Sequence, residues 1–170
     1  MTTQDIEVSL MFNLDYTQNY IVYNVTNINC LVRFEADILM VTKSGYASVF
    51  EIKITKADLK NDLNKKHIKD IGEIVKTFGG CYDAFDYYYE KIKHFSYAVP
   101  DHLLQATINQ VPEFCGIYYF IERENGIPKM KLYRRPKIIK NYKWSDKEIF
   151  DLLRLGTMRI YNLKRKLIKK

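Results

Sequence analysis

Residues 33–55 read RFEADILMVTKSGYASVFEIKIT, and this stretch decides the fold. Its two halves, Arg33 to Thr42 and Tyr46 to Thr55, are rich in β-branched and aromatic residues and are separated by Lys43-Ser44-Gly45. Each half reads as a strand. A three-residue loop ending in glycine suits a hairpin, because its last position takes a left-handed backbone. With that loop Thr42 faces Tyr46, and counting back sets Asp37 opposite Glu51 and Glu35 opposite Lys53. A two-residue loop would slip the register by one and separate these side chains onto opposite faces.

The alternation of a strand places Arg33, Glu35, Asp37, Leu39 and Val41 on one face, and Val49, Glu51 and Lys53 on one face of the next strand. Two opposed carboxylates repel unless a cation sits between them, and oxygen ligands of this kind suit Mg²⁺ or Mn²⁺. An ion held by Asp37 and Glu51 would polarise a phosphodiester and acidify a water, with Lys53 beside it to orient the nucleophile or stabilise the transition state. Spacing alone leaves two readings open. One is this metal site; the other is a surface strand with a Glu35–Lys53 ion pair and a solvated Asp37.

Outward from the hairpin, Gln4 to Asp15 reads as a helix with Ile6, Leu10, Met11 and Leu14 on one arc. Glu7 falls inside that arc, where a carboxylate is costly unless paired or metal-bound; a rim position with its head in water is the alternative. Tyr20 to Thr26 is a strand. Lys56 to Phe78 carries helical apolar spacing up to the break at Gly79-Gly80. The stretch Cys81 to Ile92 has no clear period, and its tyrosines are expected to pack. A strand at His94 to Val99, a helix at His102 to Val111 and a strand at Cys115 to Glu122 form a succession that makes a parallel strand pair. Asn125-Gly126 turns the chain into a strand at Pro128 to Tyr133. Ser145-Asp146-Lys147-Glu148 is a capping box opening a long amphipathic helix through Ile149, Leu152, Leu153, Ile160, Leu163 and Leu167, with Trp144 packing at its start. The order predicts one α/β domain around a mixed sheet flanked by helices, with a core over 1–144 and a C-terminal basic amphipathic helix over 145–170.

The chain has 170 residues, 47% of them hydrophobic, with 7 Gly and 4 Pro, which fits one globular domain and excludes disordered and collagen-like chains. Three cysteines, Cys30, Cys81 and Cys115, have no CxxC spacing, so neither a disulfide framework nor a zinc site is expected. No apolar run is long enough to span a bilayer and no secretory signal opens the chain, so the expected location is the cytoplasm, with no membrane partner. Charge is unevenly spread. Through Pro128 there are 12 Lys+Arg against 17 Asp+Glu, whereas from Lys129 onward there are 15 against 3. Such a basic segment is suited to a polyanion, or else is a solvated helix face.

At the hairpin the sequence resembles the PD-(D/E)XK nuclease superfamily, whose Asp, hairpin, Glu-X-Lys pattern matches Asp37 and Glu51-Ile52-Lys53, with Ala36 in place of the proline. The longer run from Phe34 through Ile54-Thr55-Lys56-Ala57-Asp58-Leu59-Lys60 to Lys65-Lys66-His67 is similar to the small phage and bacterial nucleases of the MmcB-like DNA-repair group. Tyr97-Ala98-Val99-Pro100 and Val111-Pro112-Glu113-Phe114-Cys115-Gly116 are similar to that group as well. The resemblance implies a restriction-endonuclease-like fold and Mg²⁺- or Mn²⁺-dependent hydrolysis of DNA by Asp37, Glu51 and Lys53. It implies metal ligation by Asp37, Glu51, Glu7 from the first helix and the Ile52 backbone carbonyl, with Glu35 as a further acidic candidate. Lys56, Lys60, Lys66, His67, Arg134, Arg135 and Lys137 are the candidate DNA contacts, and a homodimer is an allowed assembly. A catalytically silent DNA-binding repair protein and a purely structural or partner-binding protein are the competing functions.

Overall fold

The structure, a computed structural model, describes residues 1–25, 32–65, 88–123 and 128–168. Six strands form one mixed sheet in chain order: β1 (Asn19–Val25), β2 (Ala36–Thr42), β3 (Ala47–Ile52), β4 (His94–Pro100), β5 (Gly116–Ile121) and β6 (Lys129–Arg134). β2 runs antiparallel to both β1 and β3, β3, β4 and β5 are parallel, and β6 returns antiparallel to β5. Around the sheet lie α1 (Thr3–Asn13), α2 (Lys56–Leu63), a 3₁₀ turn (Asp101–Leu103) running into α3 (Leu104–Gln110), and α4 (Asp146–Ile168). The α/β class and the mixed sheet expected from the pattern are present, including the parallel β4–β5 pair around α3 and the C-terminal helix.

Period-two alternation gives the sheet two apolar faces. Ile6 and Leu10 of α1 pack with Ile38, Met40, Phe50, Ile52 and Phe120 on one face. On the other, Leu39, Val41, Val49, Phe95, Tyr97 and Ile117 meet Leu59 of α2 and Leu152 and Leu155 of α4. Tyr89 packs here against Phe34 and Phe95, as expected of a tyrosine in that stretch. Trp144 is buried, its indole N–H donating to the Lys91 carbonyl at 2.8 Å, so it anchors the start of α4. Cys115 is a free, buried thiol.

The hairpin that sets the register is formed as its loop requires. Thr42 N–H donates to Tyr46 O at 3.0 Å and Gly45 N–H to Thr42 O at 2.8 Å, with Gly45 at φ +85°. A Cβ at Gly45 would lie 2.9 Å from the Lys143 side chain and 3.1 Å from the Trp144 carbonyl, so close approach and backbone conformation both call for glycine. The ladder then runs from Val41↔Ala47 to Ile38↔Phe50.

One element is shorter than its periodicity suggests. α2 ends at Leu63 with Asn64 as its cap, not at Phe78, because the Asn64 N–H turns back to the Asn61 and Asp62 carbonyls. The remainder of that expected helix, Lys66 and His67 with it, lies outside the described residues, as do the Gly79-Gly80 break, most of the Cys81–Ile92 stretch and the Asn125-Gly126 turn.

The capping box of α4 is a hub. Glu148 accepts from Ser145 N–H at 2.8 Å, Ser145 hydroxyl at 2.9 Å, Lys91 Nζ at 2.7 Å and Tyr142 OH at 3.0 Å. Burial pushes its carboxyl up, but the bonds from Lys91, Ser145 and Tyr142 outweigh burial and hold it down at about 2. A carboxyl so depressed stabilises the fold above its unfolded value, about 4.3, and that contribution is lost as pH falls toward 2. Glu148→Gln is therefore expected to cost about 1.5–3 kcal/mol at neutral pH and to flatten the loss of stability across this acid window in urea unfolding. An acid limb as steep as in wild type would refute the assignment.

Candidate functional site

One step beyond the Ile38↔Phe50 pair, the ladder sets Asp37 across from Glu51 on the face of Leu39 and Val49. Asp37 Oδ2 accepts the Ile52 N–H at 2.7 Å, so this side chain fills a backbone bond where the ladder ends. Glu51 is 0% exposed, and its Oε2 accepts Lys53 Nζ at 2.7 Å. The cation that two opposed carboxylates require is supplied here by Lys53, whose ammonium also lies 3.5 Å from Asp37 and 3.1 Å from Asp62. The alternative surface pairing does not form: Glu35 is exposed at the strand's edge, and Lys53 turns inward to Glu51.

α2 completes the cluster with two residues that the sequence reading left unassigned. Asp62, 1% exposed, receives Lys65 Nζ at 2.6 Å and the Tyr97 hydroxyl at 2.9 Å. Lys65 Nζ also lies 3.6 Å from Glu51 Oε2. The signal was available: Asp62 stands three residues after Leu59, on the buried face of α2, the same criterion that singled out Glu7. Thr55 starts that helix, its hydroxyl accepting the Asp58 N–H at 3.1 Å, which fixes α2 just after Lys53.

Three carboxylates thus share two ammonium groups in a largely dry pocket. Burial pushes the Glu51 carboxyl up; Lys53 opposes this, and Asp37 and Asp62 add to it. Burial works to lower Lys53, but the carboxylates of Glu51, Asp37 and Asp62 outweigh it, so the ammonium form is held. Asp62, raised by burial, is brought below the ordinary carboxylate range by Lys53 and Lys65. The pocket opens at Asp37, whose side chain is 31% exposed. Glu7 approaches from α1: burial raises its carboxyl and the charge of Asp37 raises it further, which puts the two in electrostatic reach.

Glu51 Oε1 is buried with no hydrogen-bond partner among the described residues. A carboxylate oxygen left in that state is what a cation ligand presents before it is engaged. Among the described residues no three His, Cys, Asp or Glu side chains gather as a complete metal cage. Mg²⁺ does not need one, since it is commonly held by one or two carboxylates with waters and substrate phosphates. Asp37, Glu51 and the Ile52 carbonyl therefore fit such an ion.

No family model matches the chain, and no curated protein matches it. Its fold is similar to that of a solved structure, a protein of unknown function from Silicibacter pomeroyi, with a TM-score of 0.59. The match covers 98% of this chain and 91% of that one at 13% identity. The likeness shows the fold alone.

The candidate DNA contacts are dispersed. Lys56 and Lys60 are exposed on α2, beside the pocket. Arg134 lies on β6, three strands from β3 and so about 14 Å across the sheet. Its guanidinium donates to the Cys115 carbonyl at 2.9 Å and the Pro112 carbonyl at 2.8 Å, which ties it to the turn before β5. Lys137 pairs with Glu113 at 3.4 Å, and Arg135 is exposed. A phosphate would have to compete with two carbonyls for Arg134. Among the described residues no helix is long and apolar enough to cross a membrane.

Proposed function

We propose that the protein is a divalent-metal-dependent deoxyribonuclease of the PD-(D/E)XK kind, acting on DNA without sequence readout. The observation that carries the reading is the Asp37, Glu51, Lys53 set, with Glu51 and Lys53 buried and Asp37 at the open edge, on one face of a hairpin whose register opposes the two carboxylates. Asp37, Glu51 and the Ile52 carbonyl would hold Mg²⁺ or Mn²⁺, with Glu7, whose carboxyl is raised by burial and by the charge of Asp37, as a further candidate ligand. When bound, such an ion polarises the phosphodiester and acidifies a water.

The chain's own part is charge placement. Lys53 keeps its proton at Nζ because three carboxylates surround it, so a fixed positive charge waits beside the site for the charge that builds on the phosphoryl oxygens. The low-dielectric pocket strengthens that interaction, and the partly open Asp37 edge is where substrate gains access. Incubation of the purified protein with Mn²⁺ and duplex, branched and single-stranded DNAs tests the reading: product is expected with at least one substrate and none in chelator. Absence of cleavage with every substrate, together with retained DNA binding, would favour the silent DNA-binding reading.

Backbone contacts are separable from chemistry. Replacing Lys56 and Lys60 by Gln is expected to flatten the log–log salt dependence of duplex binding by about two units, because each neutralised phosphate contributes about 0.9. Arg134→Gln is expected to leave that slope alone and to lower stability by about 1.5–3 kcal/mol through the two lost carbonyl bonds. A slope that changes with Arg134 and not with the α2 lysines would move the DNA track to β6.

A further inference from the structure

β1 is an edge strand of the sheet, and among the described residues no strand pairs with its outer side. A cavity of about 460 Å³ lies against it, lined by four consecutive strand residues, Ile21 to Asn24, by Met11 of α1 and by Ile160 and Leu163 of α4. Ile21 and Tyr23 pack on the face of the sheet that α1 covers, whereas Val22 packs on the face that α4 covers. A space that meets side chains of both faces and both helices lies off the edge of the strand, between the helices. Gly156 brings one wall in: an added Cβ would stand 3.3 Å from Val22, so α4 lies close against β1 and its next turns flank the groove.

The edge selects an extended chain. An edge strand presents backbone N–H and C=O groups that have no partner in the sheet, and an added strand is the chemistry that satisfies them. Four strand residues span about 10 Å, a match to three or four residues of the incoming segment. Asn24 sits at φ +48° and is skipped by the ladder to β2, which sets the end of the pairing stretch. Charge then selects what the segment carries. Among the described residues of the lining only Arg159 and Lys166 are charged. Arg159 Nε is buried with no hydrogen-bond partner among the described residues; burial works against its charge, and Glu35 offsets this in part without bonding that atom. Neither Glu35 nor Glu7, whose charge reaches Tyr23, lines the groove. A guanidinium donor in that state calls for an acceptor, and a carboxylate supplies the opposite charge as well. A second copy of β1 fits less well, because Asn19–Val25 holds no acid and a two-fold axis would bring another Arg159 and Lys166 to the same place. A nucleic-acid backbone would leave the strand edge and the apolar walls unmatched.

We propose that the outer edge of β1 is a docking groove that takes an extended, acidic segment of a partner protein as a seventh strand, with a carboxylate of that segment on Arg159. Binding is read with or without nuclease activity. Random decapeptides displayed on phage and selected on the full chain supply the probes, which are then synthesised and titrated by fluorescence anisotropy. They are expected to carry Asp or Glu within a run of β-branched or aromatic residues, and to slow hydrogen exchange of backbone amides within Asn19 to Tyr23. Methylating the peptide's alternate backbone nitrogens that face β1 is expected to weaken binding by at least about 10-fold, with far less effect from the other alternate set, and this change leaves the protein untouched. Arg159→Gln is expected to weaken binding about 10-fold, and Arg159→Glu to reverse the preference so that the analogue with Lys in place of the acid binds best. Circular dichroism should be unchanged in both variants, since Arg159 Nε has no partner to lose. Recovery of no peptide that binds in solution, binding indifferent to Arg159 or to backbone methylation, displacement of the peptide by duplex DNA, or a wild-type chain that dimerises through β1 and so excludes the peptide would each overturn the proposal.

Discussion

Glu51→Gln and Asp37→Asn are each expected to abolish DNA cleavage while leaving the protein folded. Either change removes one of the two carboxylates proposed as metal ligands and keeps the shape of the side chain. If the site works through a divalent ion, the loss of several kcal/mol of transition-state stabilisation amounts to about three decades in rate. The fold should tolerate the change at Glu51. The cluster has three carboxylates on two ammonium groups, so removing one negative charge leaves Lys53 and Lys65 with Asp37 and Asp62 and relieves the burial of a carboxyl that is 0% exposed. Because burial raises the Glu51 carboxyl, Mn²⁺ affinity in wild type should climb with pH beyond the ordinary carboxylate range, and that climb should be lost in Glu51→Gln. Cleavage that survives in either folded variant would remove these residues from the chemistry.

The register of this site was legible because a single glycine fixed it. Gly45 needs its positive φ, the three-residue loop follows, and the opposition of Asp37 and Glu51 follows from the loop by counting. Burial was legible only in part. Alternation shows that Glu51 and Lys53 share the face of Val49, yet the depth of both comes from Leu59 and Asp62 of α2 closing over them, a tertiary event that strand periodicity does not encode. The same limit explains Arg134. In the sequence it is one of several cations in a basic run, whereas in the fold its planar fork is held by two carbonyls of the turn before β5. The amphipathic spacing of α4 was correctly read, but it gives apolar residues on more than one side beyond Gly156. Ile160 and Leu163 remain more than half exposed beside a cavity of about 460 Å³ against β1, and only packing decides which face the sheet takes.

Lys53→Met is expected to separate two roles that one ammonium group now combines. In the metal-free protein Lys53 is the positive charge among Glu51, Asp37 and Asp62, and it is nearly inaccessible to solvent. Removing one partner from a buried charge network costs about 3–5 kcal/mol, because the remaining charges keep their desolvation without compensation. For a chain of this size that lowers Tm by on the order of 10 °C in chelator. A divalent cation placed between Asp37 and Glu51 supplies the missing charge, so Mn²⁺ should restore much of the lost Tm, and its affinity should equal or exceed that of wild type because a competing cation is gone. Activity should not return with stability. The charge proposed to face the transferring phosphoryl group would still be absent, and the loss of one such group is expected to slow cleavage by about 100-fold or more at saturating Mn²⁺. Melting in chelator and in Mn²⁺, metal titration and single-turnover cleavage of the same variant therefore give opposite signs for the two roles. If Mn²⁺ fails to stabilise Lys53→Met, or binds it far more weakly than wild type, the lysine is needed to build the metal site itself, and its assignment to the transition state is wrong.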